Sequence, residues 1–198
     1  MPADHYQTLA EAREFRQKIE RSDFLAIAFP VVAEDAFFGE LQRIEKKYFD
    51  ATHHCWAFRL FAESRERSSD AGEPSGSAGK PILAAIDGAE LWDCAVVAVR
   101  WYGGVKLGVG GLSRAYRDTA AVALRDGRRL DRYLYRRFRV LVPFEALNTM
   151  YRMVAPPDVV LVSENFGEEN VFELDVRRSM ADRFAQTLIE KRLALASS

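Results

Sequence analysis

Hydrophobic and polar positions divide the chain into short runs of distinct period. Leu25 to Val32 is an apolar stretch ending at Pro30-Val31-Val32, which predicts a buried strand. From Glu34 to Tyr48, Phe37, Phe38, Leu41, Ile44 and Tyr48 recur at helical spacing while Glu40, Arg43, Lys46 and Lys47 take the other side, so an amphipathic helix is expected. Cys55 to Phe61 alternates as a strand does, and Ala62 to Lys80 reads as a polar loop rich in Gly, Ser and Pro. Pro81 is placed at the first position of a short helix over Ile82 to Ile86. Within Asp93 to Tyr102, the unbroken run Ala95-Val96-Val97-Ala98-Val99 marks a central strand covered on both faces. After a glycine loop, Leu112, Ala115, Tyr116, Thr119 and Ala123 line one side of a helix that ends near Gly127.

A second set of elements follows from Tyr135. Phe138, Val140 and Val142 alternate on a strand; Phe144, Leu147, Tyr151 and Val154 then repeat at helical spacing until Pro156-Pro157. Val159 to Val162 and Val171 to Val176 read as strands joined by a turn containing Asn165, Gly167 and Asn170. Ser179 and Asp182 have the spacing of a capping box variant ahead of a helix carrying Phe184 and Leu188. The order βαββα is that of a ferredoxin-like unit with its last strand missing or shortened.

The 198 residues suffice for one core or two small ones. Hydrophobic and charged shares of 48% and 29% are those of a packed globular protein, and a formal charge of -1 excludes a globally basic chain. Any nucleic-acid contact therefore needs a local patch. No apolar run approaches the roughly 20 residues of a membrane span, and the start Met-Pro-Ala-Asp-His-Tyr lacks a basic and apolar leader, so a cytoplasmic protein with no membrane partner is expected. Cys55 and Cys94 lie in apolar runs without CxxC spacing and read as reduced, buried thiols.

Two glycine-rich stretches carry the candidate chemistry: Ser69-Asp70-Ala71-Gly72-Glu73-Pro74-Ser75-Gly76-Ser77-Ala78-Gly79-Lys80-Pro81 and Arg100-Trp101-Tyr102-Gly103-Gly104-Val105-Lys106-Leu107-Gly108-Val109-Gly110-Gly111. The first is not a P-loop, since Pro74 replaces the leading glycine and Pro81 the Ser/Thr that would hold magnesium. The second lacks the dinucleotide fingerprint, with Ser113 at its third glycine position. No cofactor is expected. Glycines permit close backbone approach, so Gly103, Gly104, Gly110 and Gly111 with Lys80, Arg100, Lys106 and Arg114 form a candidate anion or nucleic-acid site; plain turn-making is the alternative. His53, Asp70 and Glu73 are a candidate acid–base cluster, with bracing of the loop as the alternative. Neighbouring His53 and His54 on a strand point to opposite faces, so no metal site is expected. Nine arginines between Arg114 and Arg139 stand against Asp118, Asp126 and Asp131, and with Trp101, Tyr102, Tyr133 and Tyr135 they suggest a phosphate-binding patch with stacking surfaces.

These stretches, together with His53-His54-Cys55-Trp56-Ala57, Lys106-Leu107-Gly108-Val109-Gly110-Gly111-Leu112 and Arg114-Ala115-Tyr116, resemble the signature of the IMPACT family, including its bacterial YigZ-like members, from about His53 to Leu124. Departures are Ala71 for a second aspartate, Trp101 for tyrosine, and Arg117-Asp118 for small residues. Glu11 to Arg21 has helix-friendly composition, but the resemblance implies a strand there, paired with the Leu25 strand. It implies an α+β protein of two domains: a ribosomal-protein/GHMP-kinase-like α/β sandwich over residues 1–132 and a ferredoxin-like domain over 133–198, similar to the final domain of elongation factor G. It also implies a non-enzymatic role in regulation of translation, with RNA or a ribosome-associated protein as partner. The alternative is a small enzyme acting on a phosphorylated or nucleotide substrate at His53, Asp70 and Glu73.

Overall fold

The computed structural model describes residues 4–195. It is a mixed α/β protein of two compact units: residues 7–131 form one, and residues 4–6 with residues 132–195 form the other. The outer ends of the expected 1–132 and 133–198 ranges lie outside the described residues.

In chain order the first strands are β1 (His5–Leu9), β2 (Arg13–Ile19) and β3 (Ser22–Pro30), followed by α1 (Glu34–Lys47), β4 (His53–Leu60), β5 (Arg65–Ser69), α2 (Gly79–Gly88), β6 (Cys94–Trp101), α3 (Gly108–Arg125) and β7 (Arg129–Tyr133). β1 and β7 form a two-stranded sheet, while β2-β3-β6-β4-β5 form the main one with β6 at its centre. Every pairing in that main sheet is antiparallel, and the β2–β3 hairpin stands where composition alone suggested a helix.

Strand parity sorts the core into two layers. Leu25, Ile27, Trp56, Phe58, Val97 and Val99 face the α1 residues Phe37, Leu41 and Ile44. The opposite face carries smaller residues, among them Ala26, Ala28, Ala57 and Ala98, and against it pack Ile82 and Ile86 of α2 and Leu112, Tyr116 and Ala120 of α3. Bulky aromatics fill the space beneath one helix, and alanines make room for two. Both cysteines are buried free thiols, and burial pushes each up to about 12.

The stretch expected as a loop over 62–80 contains β5, a polar edge strand paired with β4. Its side chains are charged because the edge faces water, so hydrophobic period could not reveal it; Arg65 and Arg67 both pair with Glu34. Helix α2 starts two residues earlier than expected, with Pro81 third in the helix. That position tolerates proline because its N–H would have no intrahelical acceptor. Gly108 to Gly111 are likewise the first turn of α3, not a loop.

The other unit comprises β8 (Tyr135–Leu141), α4 (Leu147–Met153), β9 (Val159–Asn165), β10 (Val171–Arg177), α5 (Ala181–Glu190) and β11 (Ala194–Leu195). Its sheet runs β11-β8-β10-β9, antiparallel throughout, so the final strand is present as two residues paired with β8. Phe138, Val140, Phe172, Leu174 and Val176 form a core with Phe184 and Leu188. In the segment before α4 the expected face is displaced: Phe144 is 81% exposed, and Met150 is the buried anchor. No capping box forms at α5, whose N-cap is Met180 without a side-chain cap. Asp4 supplies the polar partner instead, accepting from the Ser179 N–H at 2.8 Å and from Arg177 at 2.7 Å. The Arg177 bond holds the Asp4 carboxyl well below the usual range, against the opposing effect of burial.

Candidate functional site

Parity places His53, Cys55 and Arg100 on the sheet face that packs against α2 and α3, with His53 directly opposite Arg100 in the β4–β6 register. Arg100 is 4% exposed, a charge at the end of an otherwise apolar inward row. A buried guanidinium needs a counter-charge. Glu73 provides it: its Oε1 accepts from Arg100 at 2.7 Å and from the Tyr116 hydroxyl at 2.7 Å. Arg100 also donates to Ser22 Oγ at 3.2 Å and lies against the ring of Phe24. Burial raises the Tyr116 phenol far above its ordinary value, with Cys55 and Glu73 adding to the shift, so Tyr116 is a neutral donor.

His53 closes the cluster from the side of the 70–74 loop. Its Nδ1 lies 3.0 Å from the Ala71 carbonyl, which can only accept, so Nδ1 is a donor there, and Nε2 lies 3.9 Å from Glu73 Oε1. His54 points the other way, with Nε2 3.1 Å from the Tyr48 carbonyl. Cys55 Sγ donates to the Asp70 carbonyl at 2.9 Å. No metal-binding group of His, Cys, Asp and Glu occurs among the described residues.

Asp70 plays a separate part. Its Oδ1 accepts from the N–H groups of Ala78 and Gly79 at 2.9 and 2.8 Å, and Oδ2 from Gly76 at 2.7 Å. The carboxylate therefore occupies the N-terminus of α2, with Lys80 nearby as a favourable charge. Partial burial raises its pKa, but the three backbone bonds outweigh burial and the net value is lowered. A lowered carboxyl pKa stabilises the fold above the unfolded-state value and loses that contribution as pH falls through the folded one. Asp70→Asn is accordingly expected to lower the urea midpoint at pH 7, with the gap to the parent protein narrowing as pH falls below about 4. A gap independent of pH would contradict this role.

Internal partners thus take Asp70, Glu73 and Arg100, while Lys80 is exposed beside Asp70; the start of α3 is exposed over residues 108–110, with open space beside Gly108 and Gly110 and no side-chain cap from Leu107. Lys106 lines a cleft of about 480 Å³ together with His53, Glu73, Arg100, Tyr102 and Val109. Arg114 and Gly111 lie instead in a neighbouring hollow of about 360 Å³, beside Gln17 and Asp118. Gly110 is on the first turn with open space around it. Gly103 serves packing, since a Cβ there would fall 1.7 Å from the Arg21 carbonyl oxygen, and Gly104 takes a φ of +84°. The arginine run is partly neutralised: Arg117 and Arg125 pair with the aspartates that follow them, Arg136 with Asp182, and Arg137 with Asp175 and Glu173. Tyr116 and Cys55, read from the sequence as core and as a buried thiol, belong to the Glu73 cluster.

The Impact N-terminal domain matches residues 20–124, which span the main sheet from the end of β2, the Glu73 cluster and all but the last residue of α3. The chain belongs to the IMPACT family. This IMPACT family chain is 30% identical over 186 residues to the IMPACT family member YvyE of Bacillus subtilis, covering 93% of this chain and 86% of that protein. It is 36% identical over 113 residues to the IMPACT family member YigZ of Escherichia coli, covering 56% and 55%. A solved structure described only as a hypothetical protein superposes with a TM-score of 0.69 at 24% identity, covering 98% of both chains, which shows a shared fold. No helix of the described residues is long and apolar enough to cross a membrane.

Proposed function

We propose that this chain is a non-enzymatic cytoplasmic protein that binds RNA in the regulation of translation, using the start of α3 and the cleft beside it. Regulation of translation is the role the family resemblance implies. The observation that carries the RNA reading is the contrast between two helix starts: α2 is filled by Asp70, while α3 presents an uncapped first turn with Lys106 and Arg114 on either side. Backbone N–H groups and cations so arranged suit a phosphate chain.

The fold expectations support the same reading. We read the expected 1–132 domain, less residues 4–6 and 132 that group with the other unit, as the ribosomal-protein/GHMP-kinase-like sandwich, supported by one sheet with helices on both faces. We read 133–198 as the ferredoxin-like domain of elongation factor G final-domain type, supported by the order β11-β8-β10-β9. Fluorescence anisotropy with single-stranded RNA across a salt series tests the proposal. Affinity will fall with salt, and Lys106→Ala/Arg114→Ala will weaken binding and reduce the slope of log K against log salt by about 1–2. An unchanged slope in a folded double variant would count against it.

One observation favours the acid–base alternative: the His53 imidazole, held at Nδ1 by the Ala71 carbonyl, places Nε2 3.9 Å from Glu73 Oε1 in the lining of the cleft. Turnover of a phosphorylated or nucleotide substrate that disappears in His53→Gln would establish it in place of simple binding.

A further inference from the structure

We propose that the cleft beside α3 receives one unstacked nucleotide, its base against Tyr102 and its phosphate at Lys106 and the first turn of α3. The proposal rests on the RNA reading and says what part of an RNA the cleft takes. At about 480 Å³ the cleft lies within the range of roughly 300–1,000 Å³ usual for ligand pockets.

Its lining combines an aromatic ring, aliphatic side chains and cations. Tyr102 is 45% exposed, with the Arg100 guanidinium 5.3 Å from its ring centroid. A half-exposed aromatic ring held beside a cation offers a stacking surface. Leu107, Val109 and Leu112 give the cleft an aliphatic wall, and Val109 is exposed on the first helical turn. Lys106 and the first turn of α3 line it as well, where charge and backbone N–H groups favour an anion.

A second, independent feature points to a ligand. Arg100 is more than nine-tenths buried and lines this cleft, yet its Nε has no hydrogen-bond partner among the described residues. An unpaired buried donor is costly, and an acceptor atom of an entering ligand supplies what the chain does not. The His53 imidazole adds a further polar group to the same lining, its Nε2 3.9 Å from Glu73 Oε1. Polar groups, cations and an aromatic ring together match a nucleotide better than a bare phosphate, which would use only the cations and backbone N–H groups. A base held in a duplex is already stacked on its neighbours, so the cleft selects single-stranded or terminal nucleotides.

Isothermal titration of the full chain with AMP and UMP, with adenosine, ribose 5-phosphate and inorganic phosphate as partial probes, tests this, alongside anisotropy with a single-stranded RNA. The mononucleotides are expected to bind saturably and more tightly than any partial probe. Tyr102→Ala is expected to weaken both mononucleotide and RNA binding by about tenfold or more, and Tyr102→Phe to retain them. Tyr102 is half-exposed, so both variants should keep the parent circular dichroism spectrum. RNA binding without mononucleotide binding, or equal binding of phosphate and mononucleotide, overturns the nucleotide cleft and leaves the RNA reading standing. Absence of both kinds of binding overturns both.

Discussion

Glu73→Ala will destabilise the fold by about 3–5 kcal/mol, the usual cost of removing one partner from a buried ion pair. Glu73 Oε1 is the acceptor for both the Arg100 guanidinium and the Tyr116 hydroxyl, and all three residues are buried. Its loss strands a charge and a hydroxyl in a layer otherwise filled by Phe24, Val96 and Ala98. The cost lies in the unpaired groups more than in the bond itself, which gives the prediction a second arm. Glu73→Leu/Arg100→Met removes both charges and should recover much of the stability that Glu73→Leu alone loses, because an apolar pair avoids the desolvation of a stranded ion. Urea midpoints measured at pH 7 decide it. A Glu73→Ala change below about 1 kcal/mol, the level of an exposed pair, would contradict the buried-pair account.

Gly103→Ala will be the most damaging of the glycine substitutions, while Gly110→Ala will be harmless to stability. A methyl at 103 would sit 1.7 Å from the Arg21 carbonyl oxygen and 2.1 Å from its carbon, and both belong to backbone that cannot swing aside. The turn before β3 and the turn after β6 would have to separate, breaking the Ser22 contacts with Gly103 and Arg100. A loss of several kcal/mol, or failure to accumulate as folded protein, is expected. Gly110 has nothing within 4 Å of the added carbon and lies in a helix, where alanine is favoured by roughly 0.5–1 kcal/mol. Thermal unfolding of the two variants should therefore shift in opposite directions. Equal effects at both positions would show that close approach at Gly103 is not what the fold requires.

Much of the main sheet is readable in the chain because its rows are apolar on both faces. Ala95 to Val99 marks the centre directly, and the alternation of β4 leaves His53 and Cys55 on one side and His54 on the other. β5 escapes because an edge strand of Arg, Glu and Ser has no hydrophobic period. The starts of α2 and α3 escape for a different reason: each opens with glycine, which reads as loop, and the carboxylate that holds α2 comes from Asp70, nine residues before Gly79. The Glu73 cluster joins residues 27 and 43 positions apart, so local spacing carries no trace of it. One signal was available. Arg100 continues the inward row of Val96 and Ala98, and a guanidinium in such a row demands a buried acid. That parity argument separates Arg100, held in the buried row by Glu73, from Lys106 and Arg114, which lie outside that row.

Hydrogen exchange of the full chain with and without a saturating single-stranded RNA tests the central claim most directly, since it reports where the RNA lies. The account predicts slowed exchange over residues 102–112 and at the 70–76 loop, lost together with binding in Lys106→Ala/Arg114→Ala. RNA that binds yet leaves residues 102–112 unprotected, or protects only residues 135–177, would contradict it.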